Sequence, residues 1–170
     1  KLCHELLDPL QILPLPNSDE LIWFSERSGW AHLYLYDLKA GKLKGSITEG
    51  EWLVRDILHY DAERRELLVR TAARDPKLSP YYADICKVNI DSGVLTPLVS
   101  GCFDHAVYLH NGCRIICAIM PGGDESGEVN GVSPCGNYLV TTRSRVDTVP
   151  ETLLIDRNGK EILTLETADI

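Results

Sequence analysis

The sequence predicts an all-β protein: about three four-stranded antiparallel blades of a β-propeller, forming part of a larger ring. Two observations carry this expectation. Short segments rich in aromatic and β-branched residues alternate with period two, while helix signals are poor throughout. Three stretches of the chain also align with one another, each running through strand, loop, strand, glycine-containing turn and strand. Four-stranded sheets repeated in sequence and covered on both faces are propeller blades. A β-sandwich built from hairpins is the rival, and the triple repeat favours the propeller.

In the first repeat, "QILPLP" supplies the leading strand and "LIWFSE" and "HLYLYD" follow it. In "AHLYLYDL", Leu33 and Leu35 fall on one side and His32, Tyr34 and Tyr36 on the other. "DLKAGK" then turns into "KGSIT", with residue types that tolerate the positive φ of tight hairpins. The second repeat opens on "VRDILHY" and continues through "LLVRTA" and "DICKVNI", then "IDSG" turns into "VLTPLV". Leu67 and Val69 oppose Leu68 and Arg70. The stretch around "YDAERRE" could be mistaken for helix, but reads better as a turn between two strands. The third repeat takes "HAVYLH", at a longer distance, then "YLVTTRS", "TLLIDR", the turn "DRNGKE" and "EILTLE". There Leu153 and Ile155 oppose Leu154.

These elements make residues 1–170 one partial propeller, with blades at 10–49, 53–100 and 103–167. The last blade carries an irregular insertion near 109–132, where "CRIICAIM" is apolar enough for a strand and "PGGDESGEVNG" reads as a loop. Three blades cannot close a ring of roughly four to eight, so the sequence reads as a portion of a bigger molecule. "KLCHELLDPL" lacks Met and opens mid-pattern, as a processed chain or excised fragment would. It has no signal-peptide pattern, and no apolar run approaches the roughly 20 residues that cross a bilayer.

The net charge of −8 argues against nucleic acid as a partner, because phosphate binding needs clustered Lys and Arg. The hydrophobic fraction of 44% is enough for an ordinary core. Six cysteines, Cys3, Cys86, Cys102, Cys113, Cys117 and Cys135, are irregularly spaced. With only His105 and His110 near the C-x3-C pair, they read as structural rather than metal-binding. If "CRIIC" is extended, Cys113 and Cys117 stand roughly 13 Å apart and cannot bridge. Asp124, Glu125 and Glu128 read as an exposed acidic loop.

No nucleophile elbow of the form G-x-S-x-G is present. The nearest approach is "GVSPC", where Ser133 is followed by Pro134 and the second glycine is missing. Ser25, His32 and Asp37 could supply the residue types of a triad, but nothing in the pattern orients them. No phosphate-binding glycine loop occurs in a strand–turn–helix context. The expectation is therefore no catalytic residue, no metal and no cofactor, with substrate-binding residues unassigned.

The stretch "FSERSGWAHLYLYDLKAGKLKGSITEGEWLV" resembles the N-terminal propeller of the dipeptidyl peptidase IV family of prolyl oligopeptidase-like serine peptidases. The matching positions are Ser25, Glu26, Arg27, Gly29, Trp30, His32, Leu33, Tyr34, Tyr36, Asp37, Leu38, Thr48, Gly50 and Trp52. "SPCGNYLVTTRSRVDTVPETLLIDRNGKEILTLE" is similar to a later blade of that family. The resemblance spans about Asp19 to the C-terminus, excepting Leu109 to Val132, and points to a bacterial member.

The resemblance implies a parent exopeptidase that removes dipeptides, usually after Pro or Ala, with its catalytic Ser, Asp and His on a separate hydrolase domain. The family's paired glutamates, which hold the substrate amine, have no counterpart: the sequence contains no Glu-Glu pair. Its substrate-holding arginine has no match either, so no site residue is carried over. The implied role is a non-catalytic propeller segment that walls the substrate chamber and gates short peptides. The implied partners are a C-terminal α/β-hydrolase domain, the remaining blades, and the parent's short peptide substrates. The implied location is periplasmic or cell-surface. The alternative is a propeller-derived module for protein or glycan contacts, with no hydrolase.

On either reading "SERSGWAHLYLYD" is scaffold. Trp30, Tyr34 and Tyr36 are expected to bury area between blades, His32 to be a hydrogen-bonded structural histidine, and Trp52 to plug a blade-to-blade handover. The terminal blades each lack a neighbour, so Trp23, Tyr34 and Leu153 are expected on open faces and the isolated chain is expected to self-associate.

Overall fold

The computed structural model of the chain describes residues 12–107 and 131–168. Every regular element among them is a strand: β1 (Ile12–Pro14), β2 (Glu20–Ser25), β3 (His32–Asp37), β4 (Lys42–Ser46), β5 (Leu53–Asp61), β6 (Glu66–Ala72), β7 (Ala83–Asn89), β8 (Leu95–Val99), β9 (Asp104–Val107), β10 (Tyr138–Arg145), β11 (Thr148–Asp156) and β12 (Glu161–Thr167). They form three four-stranded antiparallel sheets, β1 to β4, β5 to β8 and β9 to β12, each with its strands in sequence order. These are three propeller blades. "YDAERRE" is indeed the turn between β5 and β6.

Period-two alternation decides what each blade buries. In the first blade Phe24 pairs with Leu33 and Ile22 with Leu35, putting four apolar side chains on one face. That face packs on Val54, Leu67, Val69, Cys86 and Val88 of the second blade as one core. The second blade's opposite face brings Leu58, Leu68, Ile85 and Leu98 against Leu139, Leu153 and Ile155 of the third. The central blade is thus covered on both sides, as its sequence required.

Three expectations about single residues change. Leu153 is buried against the second blade, so Leu154, its neighbour on the strand, takes the open side. Tyr34 is also buried, because the Arg27 guanidinium lies 4.2 Å from its ring centroid and covers it. Trp30 is 37% exposed in the β2–β3 loop and is not part of the interior. Cys113, Cys117, His110, Asp124, Glu125 and Glu128 lie outside the described residues.

Candidate functional site

The handover from the first blade to the second is organised around His32. Its Nε2 lies 3.0 Å from the Gly50 carbonyl oxygen, which can only accept, so Nε2 carries the hydrogen. Nδ1 then accepts from the Thr48 hydroxyl at 3.0 Å, and the same Thr48 oxygen accepts the Leu33 backbone N–H at 3.1 Å. Each donor in this group meets an acceptor inside a buried site. Trp52 stands edge-on to the imidazole, with ring centroids 5.0 Å apart. A side chain on Gly50 would begin 2.5 Å from the indole nitrogen, which explains glycine there. The expected structural histidine and the plug are both present.

The pair Thr48–His32 has the outline of a nucleophile and its base, but cannot act as one. Thr48 is 4% exposed, its oxygen is already engaged by the backbone, and Nε2 meets a carbonyl rather than an orienting carboxylate. Ser25 is the cross-strand partner of His32, yet both histidine nitrogens are already used. Asp37 sits at the far end of β3, where its carboxylate accepts the Ala40 N–H. Ser133 lies in the turn before β10, where its hydroxyl accepts the Tyr138 N–H at 3.0 Å. The sequence candidates are therefore dispersed, each engaged in a turn or a seam.

A second group, which residue types alone did not reveal, is a line of ion pairs across the blades. Glu20 of the first blade bonds Lys44 and meets Arg65 of the second at 2.9 Å; Arg65 also holds Asp91 at 2.7 Å. Arg157 of the third blade reaches back to Asp61 at 3.1 Å and to Glu66. Burial pushes the Asp61 carboxyl up, but hydrogen bonds from Arg64 and Arg157 outweigh it and hold it at about 2. The Lys44 ammonium, with help from Arg65, holds Glu20 below its ordinary value. Only the distance in sequence between Arg157 and its partners hid this group.

Between the first two blades a cleft of about 380 Å³ is lined by Thr48, Glu49, Trp52, Arg74, Ser92 and Leu95. Arg74 stands 5.9 Å from the Trp52 ring and donates to the Cys86 sulfur at 3.2 Å, while burial pushes the Cys86 thiol up. On β9 His105 is 1% exposed, and among the described residues neither ring nitrogen has a hydrogen-bond partner. Burial lowers its basicity; Asp104 and Glu161 work against that and Arg143 with it. Among the described residues no three His, Cys, Asp or Glu side chains are grouped to hold a metal.

Residues 4–120 match the model of the dipeptidyl peptidase IV N-terminal region. Dipeptidyl peptidase 4 of Arthroderma otae is 40% identical over 76 residues, which is 45% of this chain and 9% of that protein. The chain thus spans under a tenth of that relative's length. Among solved structures, a putative dipeptidyl aminopeptidase IV from Bacteroides ovatus superposes with a TM-score of 0.68 at 23% identity, over 94% of this chain and 22% of that one. Dipeptidyl peptidase 4 of Porphyromonas gingivalis gives 0.62 at 22% identity, over 89% and 18%. At these identities the two structures speak for the fold.

Proposed function

Because the chain belongs to the family of the dipeptidyl peptidase IV N-terminal region, we propose that it is the non-catalytic propeller segment of a dipeptidyl peptidase IV-like serine exopeptidase. Its blades wall the chamber in front of a hydrolase domain and admit short peptides. The family match over most of the chain carries this reading. The built seams support it, since their reactive side chains are spent on joining blades. A blade wall also needs stiffness, which the His32 junction and the Arg157 ion pairs supply.

The partners on this reading are a C-terminal α/β-hydrolase domain, further blades, and the parent's peptide substrates. The setting is the periplasm or the cell surface, and fractionation of the native host checks it.

Activity separates this reading from a propeller module without a hydrolase. The 170-residue chain alone leaves a chromogenic Gly-Pro substrate intact; turnover abolished by Ser133→Ala would overturn the non-catalytic assignment. The product of the whole gene cleaves that substrate and short Xaa-Pro peptides, and leaves folded proteins uncut. A gene product with no peptidase activity would favour the binding module. Equal cleavage of folded proteins would remove the gating role.

A further inference from the structure

Each blade turns from its third strand to its fourth through a glycine with left-handed backbone: Gly41 at φ 61°, Gly93 at φ 69° and Gly159 at φ 82°. The residue before that glycine differs: Ala40 in the first blade, Ser92 in the second and Asn158 in the third. Of the three, Asn158 carries a side-chain carbonyl carbon, placed so that the next backbone nitrogen can close a five-membered ring on it. Asn158 is exposed, and among the described residues its carboxamide makes no hydrogen bond. Glycine at the next position leaves no side chain to obstruct the approach of that nitrogen.

The fold holds the same nitrogen still. The Gly159 N–H donates to the Asp156 carbonyl at 3.0 Å, and the Asp156 carboxylate accepts the N–H of Asn158 at 2.8 Å and that of Lys160 at 2.9 Å. A Cβ on Gly159 would collide with the Leu98 carbonyl in β8, so the bare glycine backbone is pressed onto the second blade. Arg157, one residue before Asn158, ties the turn to that blade through Asp61 at 3.1 Å and through Glu66. The nitrogen is freed when the turn lifts off the second blade, a local opening that leaves the rest of the fold intact. Both sides of this contact belong to the chain itself.

We infer that Asn158–Gly159 is a self-modification site whose rate is set by the junction between the second and third blades. When the turn opens, the Gly159 amide nitrogen attacks Asn158 Cγ. A carbon–nitrogen bond forms, the bond from Cγ to the carboxamide nitrogen breaks, and ammonia leaves with the amide proton. Water then opens the resulting succinimide at one of its two carbonyls and leaves aspartate or isoaspartate. One water is consumed and one ammonia released, with no oxidant or reductant. The isoaspartyl product carries one more carbon in its main chain and a new carboxylate beside Asp156. Gly159 has no slack against Leu98 to absorb that carbon, so the turn cannot redock as before. Loss of ammonia makes the step one-way, and a transient opening of the junction becomes a permanent one.

The test is incubation of the full 170-residue chain at mildly alkaline pH, followed by peptide mapping at position 158, with isoaspartate read by an isoaspartate-specific methyltransferase. The folded chain reacts at least about tenfold more slowly than the chain held in urea, a factor that corresponds to ~1.4 kcal/mol of local opening. Glu66→Ala removes an ion pair to Arg157 without altering the sequence around the site, and speeds the folded chain about twofold to fivefold. Thr48→Val weakens the other junction and leaves the rate unchanged. Both variants keep the circular dichroism spectrum of the wild type. The isoaspartyl chain, separated by ion exchange, melts at least about 2 °C below Asn158→Asp, which adds the charge without the carbon. An unreacted Asn158 in urea overturns the inference, as do equal rates in the folded and unfolded chains. Equal acceleration by Thr48→Val and Glu66→Ala overturns the gating, because global unfolding would then carry the reaction. An isoaspartyl chain that melts with Asn158→Asp overturns the permanent release.

Discussion

Replacing the three turn glycines one at a time with alanine should separate backbone strain from blade docking. All three sit at φ between 61° and 82°, so alanine costs a similar amount of backbone strain at each, about 1–2 kcal/mol. What differs is the neighbour. Among the described residues Gly41 has open space, Gly93 has the Ile47 carbonyl oxygen at 3.2 Å from a would-be Cβ, and Gly159 would drive that Cβ into Leu98. The obstacle at Gly159 is backbone, which cannot swing aside as a side-chain tip can. Overpacking of this kind costs about 1–3 kcal/mol, so Gly159→Ala should lose about 2–5 kcal/mol in all. A domain of this size shifts by about 2–4 °C per kcal/mol. Gly159→Ala should therefore melt about 2–12 °C below Gly41→Ala, with Gly93→Ala between them. Calorimetry reads the order directly. Equal drops at all three positions would refute the docking argument and leave only the left-handed turn as the reason for glycine.

Thr48→Val should destabilise by about 1–3 kcal/mol, since it leaves His32 Nδ1 and the Leu33 N–H buried without their partner; a urea midpoint shift with unchanged slope checks it. Arg157→Ala should cost about 1–2 kcal/mol, tempered by partial exposure of the seam, and Asp61, which keeps Arg64, should move up from about 2 in a carbon-13 titration. Burial lowers the proton affinity of His105 and of His59, so the unfolded chain binds more protons than the folded one once pH falls through about 6.5. Stability should be flat above about pH 7 and decline below it, and His105→Leu should reduce that slope between pH 7 and 5. Asp61 adds a separate loss at lower pH, setting in as pH falls through about 4 and complete below about 2, because its folded value is depressed.

The strand pattern was open to reading because it is local. "HLYLYD" becomes β3 and "ELLVRTA" becomes β6, since alternation and turn chemistry act over a few residues and the sheets agree with them. His32 could likewise be read as structural from its place in a dense scaffold motif. What period two cannot say is which of two opposite faces meets a neighbour. Leu153 and Leu154 are equally apolar, yet Leu153 is 1% exposed and packs on the second blade while Leu154 takes the open side. That choice is made by Ile85 and Leu58, some seventy to one hundred residues earlier, and no window along the chain contains both partners.

The same limit explains Gly159. "DRNGKE" announces a turn, and Asn or Asp would satisfy a left-handed turn position almost as well as glycine. The stricter demand for no side chain at all comes from Leu98, on a different blade. Trp30 shows the converse error, since a large aromatic in a family motif suggested burial, but its loop leaves it at the surface. Residue type therefore reports what a position tolerates, and the neighbouring blade decides what it is used for. Repeats sharpen this distinction, because they hold the local sequence nearly constant while the neighbour varies. Gly41, Gly93 and Gly159 share one turn and one backbone conformation, and among the described residues the latter two touch another blade. The difference among them therefore isolates the blade junction, the part of the fold that a single repeat could not disclose.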